Sequence, residues 1–199
     1  MTEADEWEAI GRALRDVGVD PSDFGRFVNH EPVMFDSTSA RPVLLEWLPK
    51  AEYPSVKEAI ARRLAETGRS SATAQALLQE YRMSSDENVR WALADSIVRV
   101  APSTDLAEIV ELAADRNGGR GRQMLVYALW RVPSDRSREV ILQLLDDPEV
   151  APHAMFSLRR AFGSHEARRR LEPLVDHPSE RVSSAARDAL QRIDRSVTR

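Results

Sequence analysis

The sequence predicts an all-α protein, a stack of about five helical hairpins behind an N-terminal helical cap. Three observations predict it. A nine-residue pattern recurs as "VKEAIARRL" from Val56, "VRWALADSI" from Val89, "GRQMLVYAL" from Gly121, "VAPHAMFSL" from Val150 and "VSSAARDAL" from Val182, with starts 33, 32, 29 and 32 residues apart. A period in that range marks a repeat array. Within the copies, the third, fourth and eighth positions after the start are mostly apolar, and the seventh is small in the last four: Ser96, Ala128, Ser157 and Ala189. That is the spacing of one buried helix face, with a small residue where helices approach closely. Finally, a second apolar-periodic segment precedes each copy: "VLLEWL" at Val43, "ALLQEY" at Ala76, "EIVELA" at Glu108, "VILQLL" at Val140 and "RLEPLV" at Arg170. Each repeat is therefore two helices, and no strand-like alternation survives beside them.

The elements follow in chain order. "TEADEWEAIGRALRDVG" suits an amphipathic helix with Trp7, Ile10, Leu14 and Val17 on one face, Thr2 and Asp5 as a capping box, and Gly18 as its stop. "DPSDFGRFV" reads as a short helix with Pro21 at its first position. A terminal repeat needs a polar outer face to stop further stacking, so residues 1–40 are read as a cap and 41–199 as the repeats, all in a single domain. The stretch "NHEPVMFDSTSARP" before Val43 reads as a loop, long enough to be either functional or mobile. Between hairpins stand the helix stops Gly68, Pro102, Pro133 and Gly163. Within hairpins stand the turns "SSDEN", "DDPE" and "DHPSER", whose Asp and Ser side chains can cap the next helix.

"DRNGGRGRQM", from Asp115 to Met124, holds three of the eight glycines and three arginines, and invites a phosphate-binding reading. Its alignment with the other turns makes it a chain reversal instead, because a phosphate-cradling loop would follow a strand. Gly121 replaces the valine that opens the second helix elsewhere. A loosened helix start is expected there, with Arg120 and Arg122 at the rim of the groove.

A first helix with leucines, a turn with Asp and Pro, and a second helix opening with Val-Arg and running into alanines resembles bacterial HEAT repeats, including the short kind found in phycobilin lyases. "DDPEV" at Asp146, "HPSERV" at His177 and "ENVRWAL" at Glu87 carry the resemblance, which covers roughly Arg41 to Arg195. It departs at Ala151 and Pro152, where Arg and a helix former are usual, and at Gly121. The resemblance implies a right-handed, armadillo-like alpha-solenoid of about five HEAT-like helical hairpins whose second helices line a concave side. It is nearly silent on function. On those helices the first, second, fifth, sixth and ninth positions after each start point away from the core. Arg90, Trp91, Asp95, Arg122, Tyr127, Trp130, Phe156 and Arg159 fall there. Tyr, Trp and Arg are enriched at binding hot spots, and an exposed aromatic cluster marks an interface. These eight residues form the expected partner-binding site. The competing reading has this register off by one position, or packs Tyr127, Trp130 and Phe156 against the next repeat.

Little else in the chain points to chemistry. A net charge of −4, with Lys50 and Lys57 as the only lysines, disfavours nucleic acid as a partner. No cysteine is present, which removes disulfides, thiolate metal sites and a cysteine nucleophile, and suits a reducing cytosol. "MTEADEWEAI" lacks the features of a secretory signal, and the longest conspicuous apolar run is "MLVYALW" from Met124, so a soluble cytoplasmic protein without a membrane segment is expected. His30, His153, His165 and His177 are isolated, which argues against a metal site. No G-x-S-x-G, Walker lysine or H-E-x-x-H occurs. Arg168, Arg169 and Arg170 point different ways on a helix and read as a solvated face. One rival constellation stands out. Trp91 and Asp95 lie one helical turn apart, with Trp130 on the neighbouring repeat, an arrangement similar to the HEAT-like alkylpurine DNA glycosylases. That resemblance would have Asp95 stabilise a cationic sugar and the tryptophans contact the lesion; the plainer reading pairs Asp95 with Arg90, Arg99 or Arg62. Kinship with phycobilin lyases would imply a third activity, which no particular residue supports. The sequence thus leads to a non-enzymatic scaffold for another protein, without a cofactor, as a monomer or weak dimer.

Overall fold

A computed structural model describes residues 2–26, 35–102 and 106–197, the side chains at 196 and 197 excepted. Among the described residues all regular structure is helical. After α1 (Glu3–Asp16) and a short 3-10 turn (Pro21–Asp23), the helices pair as the repeats require. α2 (Ser37–Trp47) pairs with α3 (Pro54–Leu64), α4 (Ser71–Met83) with α5 (Glu87–Val100), and α6 (Ala107–Ala114) with α7 (Gln123–Ala128). α8 (Asp135–Gln143) pairs with the first half of α9 (Ala151–Leu171), and the second half of α9 with α10 (Glu180–Val197). The corner inside α9 is Gly163, at φ 80° and ψ 167°. A residue with a Cβ is strained there, so glycine ends one hairpin and opens the next.

The repeat pattern is the core. Val56, Val89, Val150 and Val182, which open four of the five second helices, are at most 2% exposed. Ala59, Ile60, Leu64, Ala92, Leu93, Ile97, Leu125, Leu129, Ala154 and Leu158 are buried with them. The small-residue slot matters for the reason expected. The Ser157 hydroxyl on α9 lies 2.7 Å from the Val126 carbonyl and 2.9 Å from that of Tyr127 on α7, an approach a larger side chain would prevent. Two turns are capped by Asp as read, Asp86 accepting from the N–H groups of Asn88 and Val89 and Asp147 from that of Glu149, whereas in the last turn the acceptor from the Ser179 N–H is His177 Nδ1.

The chain divides into two compact units, Met1–Asp105 and Leu106–Arg199. In the first, α1 carries its capping box: Asp5 donates its N–H to the Thr2 hydroxyl, and Thr2 its N–H to the Asp5 carboxylate. That bonding holds the Asp5 carboxyl below its ordinary range. Ile10 and Leu14 are fully buried and Trp7 meets Phe24 edge-on at 5.4 Å, but Val17 is 47% exposed because the helix has already ended. Two buried charges fasten this region to the first hairpin. Glu6, 0% exposed, accepts from the N–H groups of Glu52 (2.8 Å) and Tyr53 (3.2 Å), supplying a cap to α3, whose own N-cap residue gives no side-chain bond. Arg63, 1% exposed, donates to the carbonyls of Asp23, Phe24 and Arg26 and pairs with Glu66 at 3.1 Å. Position 63 is the slot that is small in the other four repeats; the one large residue there reaches the cap.

The stretch read as a loop before Val43 is helical from Ser37 onward, because Asp36 accepts from the N–H of Ser39 and starts α2. Residues 27–34, His30 among them, lie outside the described residues. The third hairpin has the loosened start expected of Gly121. Arg116–Arg122 is a 3-10 stretch broken by Gly119 at φ 50°, α7 has only six residues, and a second 3-10 turn (Leu129–Arg131) follows it.

Candidate partner-binding site

In the first unit, the exposed side of the second helices is answered from within. The Arg62 guanidinium lies 5.7 Å from the Trp91 ring centre and 3.5 Å from Glu58 one turn back. Arg90 covers the ring of Tyr81 at 4.6 Å. Asp95 is 8% exposed, and its carboxylate is held at 3.0 Å by Arg99, one of the pairings weighed from the sequence. It is therefore not turned toward solvent as an outward position would require. Trp91 and Asp95 belong to the first unit and Trp130 to the second.

In the second unit, Arg122 is not at a rim. It is 1% exposed, donates to the Ala113 carbonyl at 2.9 Å and pairs with Asp147, itself 5% exposed. Asp147 meanwhile accepts from the Glu149 N–H, so the pair joins the third hairpin to the turn of the fourth. The expectation failed because Arg122 ends a 3-10 stretch, which turns about 120° per residue, and an α-helical count loses register across it.

The aromatic residues meet both expectations in part. Tyr127 on α7 and Phe156 on α9 stack at 4.1 Å with an interplanar angle of 16°, yet Tyr127 remains 37% exposed. Arg160 spans the rings of Trp130 at 4.9 Å and Phe156 at 5.6 Å. The rings pack between neighbouring repeats while one side of the band stays open. The Trp130 indole N–H is buried, and no described residue accepts from it.

Beyond Phe156 the band runs into a groove of about 450 Å³ between α9 and α10. Met155, Phe156 and Arg159 line it from α9; Ala185, Asp188 and Ile193 are among the residues that line it from α10. Arg181 at the start of α10 pairs with Glu149, just before α9, at 3.2 Å, which sets the N-terminal ends of the two helices side by side. His153, half-buried on the first turn of α9, has no partner for its Nδ1 among the described residues. Burial, and then the neighbouring Arg181 charge, push its pKa below the ordinary histidine value. Among the described residues no group of three or more His, Cys, Asp or Glu is placed to hold a metal ion, and no helix is long and apolar enough to cross a membrane.

Paired helices, capped Asp turns and a small-residue slot bring the comparison with known proteins to a single family. Residues 41–130 match the family model for HEAT repeats. Over that stretch the chain is similar to HEAT repeats. The matched stretch runs from α2 to the 3-10 turn after α7, and the two hairpins beyond it repeat the same slots. No curated protein matches the chain. A crystal structure of an engineered protein is similar at 17% identity, covering 95% of this chain and 92% of that one, with a TM-score of 0.46.

Read by HEAT slots, the groove completes what the sequence assigned only in part. Asp188 is the sixth residue after Val182, the slot that holds Arg62, Asp95, Tyr127 and Phe156 in the other repeats. The last repeat was passed over because its outward residues include no aromatic. The small Ala185 and Ala189 were the legible signal, since they leave room opposite Met155 and Phe156.

Proposed function

We propose that this protein is a non-enzymatic scaffold that binds another protein on the face of its second helices, chiefly through α7, α9 and α10. One observation carries the reading: the stacked Tyr127 and Phe156 rings are open on one side and continue into the α9–α10 groove. Half-open aromatics beside arginines are the composition of binding hot spots, and stacked helical repeats present extended binding surfaces. The scaffold works in the cytoplasm, without a cofactor, as a monomer or weak dimer. The glycosylase-like alternative is the weaker one, because the Asp95 carboxylate is engaged by Arg99.

The test is a Tyr127→Ala, Trp130→Ala double variant alongside Phe156→Ala, with circular dichroism and affinity capture from native lysate read together. A retained helical spectrum with loss of a captured protein is the expected result. Collapse of the helical signal, or capture unchanged in both variants, would contradict the reading. A fluorescence anisotropy titration with duplex DNA at low salt should show no binding at micromolar protein, and a saturable rise would favour the nucleic-acid alternative instead.

A further inference from the structure

The groove between α9 and α10 is specific enough in its chemistry to say what enters it. We propose that it takes a short acidic segment of the partner protein, with one large apolar side chain on the floor and a neighbouring carboxylate held by Arg159 and Arg192; this rests on the protein-binding reading above. The floor is Met155, Phe156 and Ile193, and its roughly 450 Å³ lies within the range that suits a drug-sized group. The parallel course of the two helices, fixed by the Arg181 to Glu149 pair, puts Arg159 and Arg192 toward the far end, with Asp188 between them in chain order. Glu180, at the start of α10, lines the opposite end, so two guanidinium groups and one carboxylate line the far end, a local excess of positive charge beside an apolar floor.

Charge complementarity decides the occupant. The arginines around this groove are otherwise engaged: Arg160 on two rings, Arg168 with Asp194, Arg181 with Glu149, and Arg170 with Glu166. Among the described residues, Arg159 and Arg192 make neither a hydrogen bond nor an ion pair. A planar guanidinium beside apolar surface matches a carboxylate, which can accept two parallel hydrogen bonds from it. A basic segment would meet like charge at that end. An uncharged apolar segment would leave both guanidinium groups desolvated without a partner.

The experiment is selection of a random peptide library of about 12 residues on the full chain, followed by anisotropy titration of the enriched peptides against variants. Enriched sequences should carry Asp or Glu beside Leu, Ile, Phe or Trp. Their affinity should fall at least tenfold in an Arg159→Glu, Arg192→Glu variant with unchanged circular dichroism, and weaken as salt rises. Arg159→Gln with Arg192→Gln should show an intermediate loss, and Asp188→Asn should tighten binding. Basic or uncharged consensus peptides, affinity indifferent to both arginine variants, or no enrichment at all would overturn the inference. Peptides that lose affinity with Tyr127→Ala and Trp130→Ala but not with the arginine variants would overturn it while leaving the scaffold reading intact. That broader reading fails when protein capture ignores the aromatic variants as well, or when those variants lose the helical signal.

Discussion

The two units are built from the same hairpin, and their second helices use the same outward slots to opposite effect. In the first unit the sixth-position residues are Arg62 and Asp95, and each finds an opposite charge one turn away on its own helix, Glu58 and Arg99. In the second unit the corresponding residues are Tyr127, Phe156 and Asp188; the two rings, which no i,i+4 neighbour can neutralise, stack on each other across two helices and leave one side open. In the first unit the charged outward residues are satisfied locally within their helices. An aromatic one must find a second element, and here it finds it only halfway. The half-open aromatic surface therefore lies in the second unit, even though both units carry tryptophan and arginine in these slots.

Removing a buried charge should separate the two units most strongly. Arg122→Ala leaves the buried Asp147 with only the more distant Arg116, at 3.9 Å, and should destabilise the second unit by up to about 3–5 kcal/mol in urea unfolding. Arg99→Ala in the first unit removes a pair whose arginine is 62% exposed, and should cost less than about 1 kcal/mol. Equal effects would mean that the Arg122 pair is not the bridge between hairpins described here. Next in size is Glu6→Ala, which strips the first hairpin of its borrowed cap. Two part-buried N–H groups lose an acceptor, for a loss of about 1–3 kcal/mol by thermal or urea unfolding, whereas Glu6→Gln, keeping one acceptor, should lose less.

A double-mutant cycle on Tyr127 and Phe156 should give a coupling of about 0.5–1.5 kcal/mol, the range for stacked aromatic pairs. The same cycle on Arg62 and Trp91 should give about 0.5–1 kcal/mol, because the cation is partly hydrated. The smallest effect is a pH dependence confined to the second unit. His153 is held neutral in the folded chain with its pKa below the unfolded value, so the unfolded state binds its proton first as pH falls. His153 therefore has no effect on stability above the unfolded pKa near 6.5, and stability falls as pH drops from there toward the folded value. His153→Gln should flatten unfolding free energy as pH falls below about 6.5 relative to the parent; an unchanged slope would show that another group titrates there.

The fold was legible because burial in a repeat array is periodic. Val56, Val89, Val150 and Val182 announced the hairpins, and the slot occupied by Ser96, Ala128 and Ser157 announced their close approach. The outward positions were legible only as far as α-helical counting holds. It left Tyr127 part-exposed and stacked on Phe156, and broke at Arg122, where a 3-10 segment rotated the side chain inward. It was blind to Asp95 folding under Arg99, since a pattern of types does not say which neighbour a carboxylate chooses. The roles of Glu6 and Arg63 depend on which backbone groups lie opposite them, separated in sequence by 46 and 39 residues in the bonds Glu6 makes with Glu52 and Arg63 with Phe24. Arg63 alone left a trace, as a large residue in a small-residue slot.

The central claim is that the open face of the second unit is where a partner protein docks. The most direct measurement places a photo-cross-linking residue at position 127, at position 91 and at the exposed position 143 of α8, one at a time, in the full chain in cells. The account predicts a discrete protein adduct from position 127, little from position 91 and none from position 143. Adducts from position 143 with none from position 127 would contradict it.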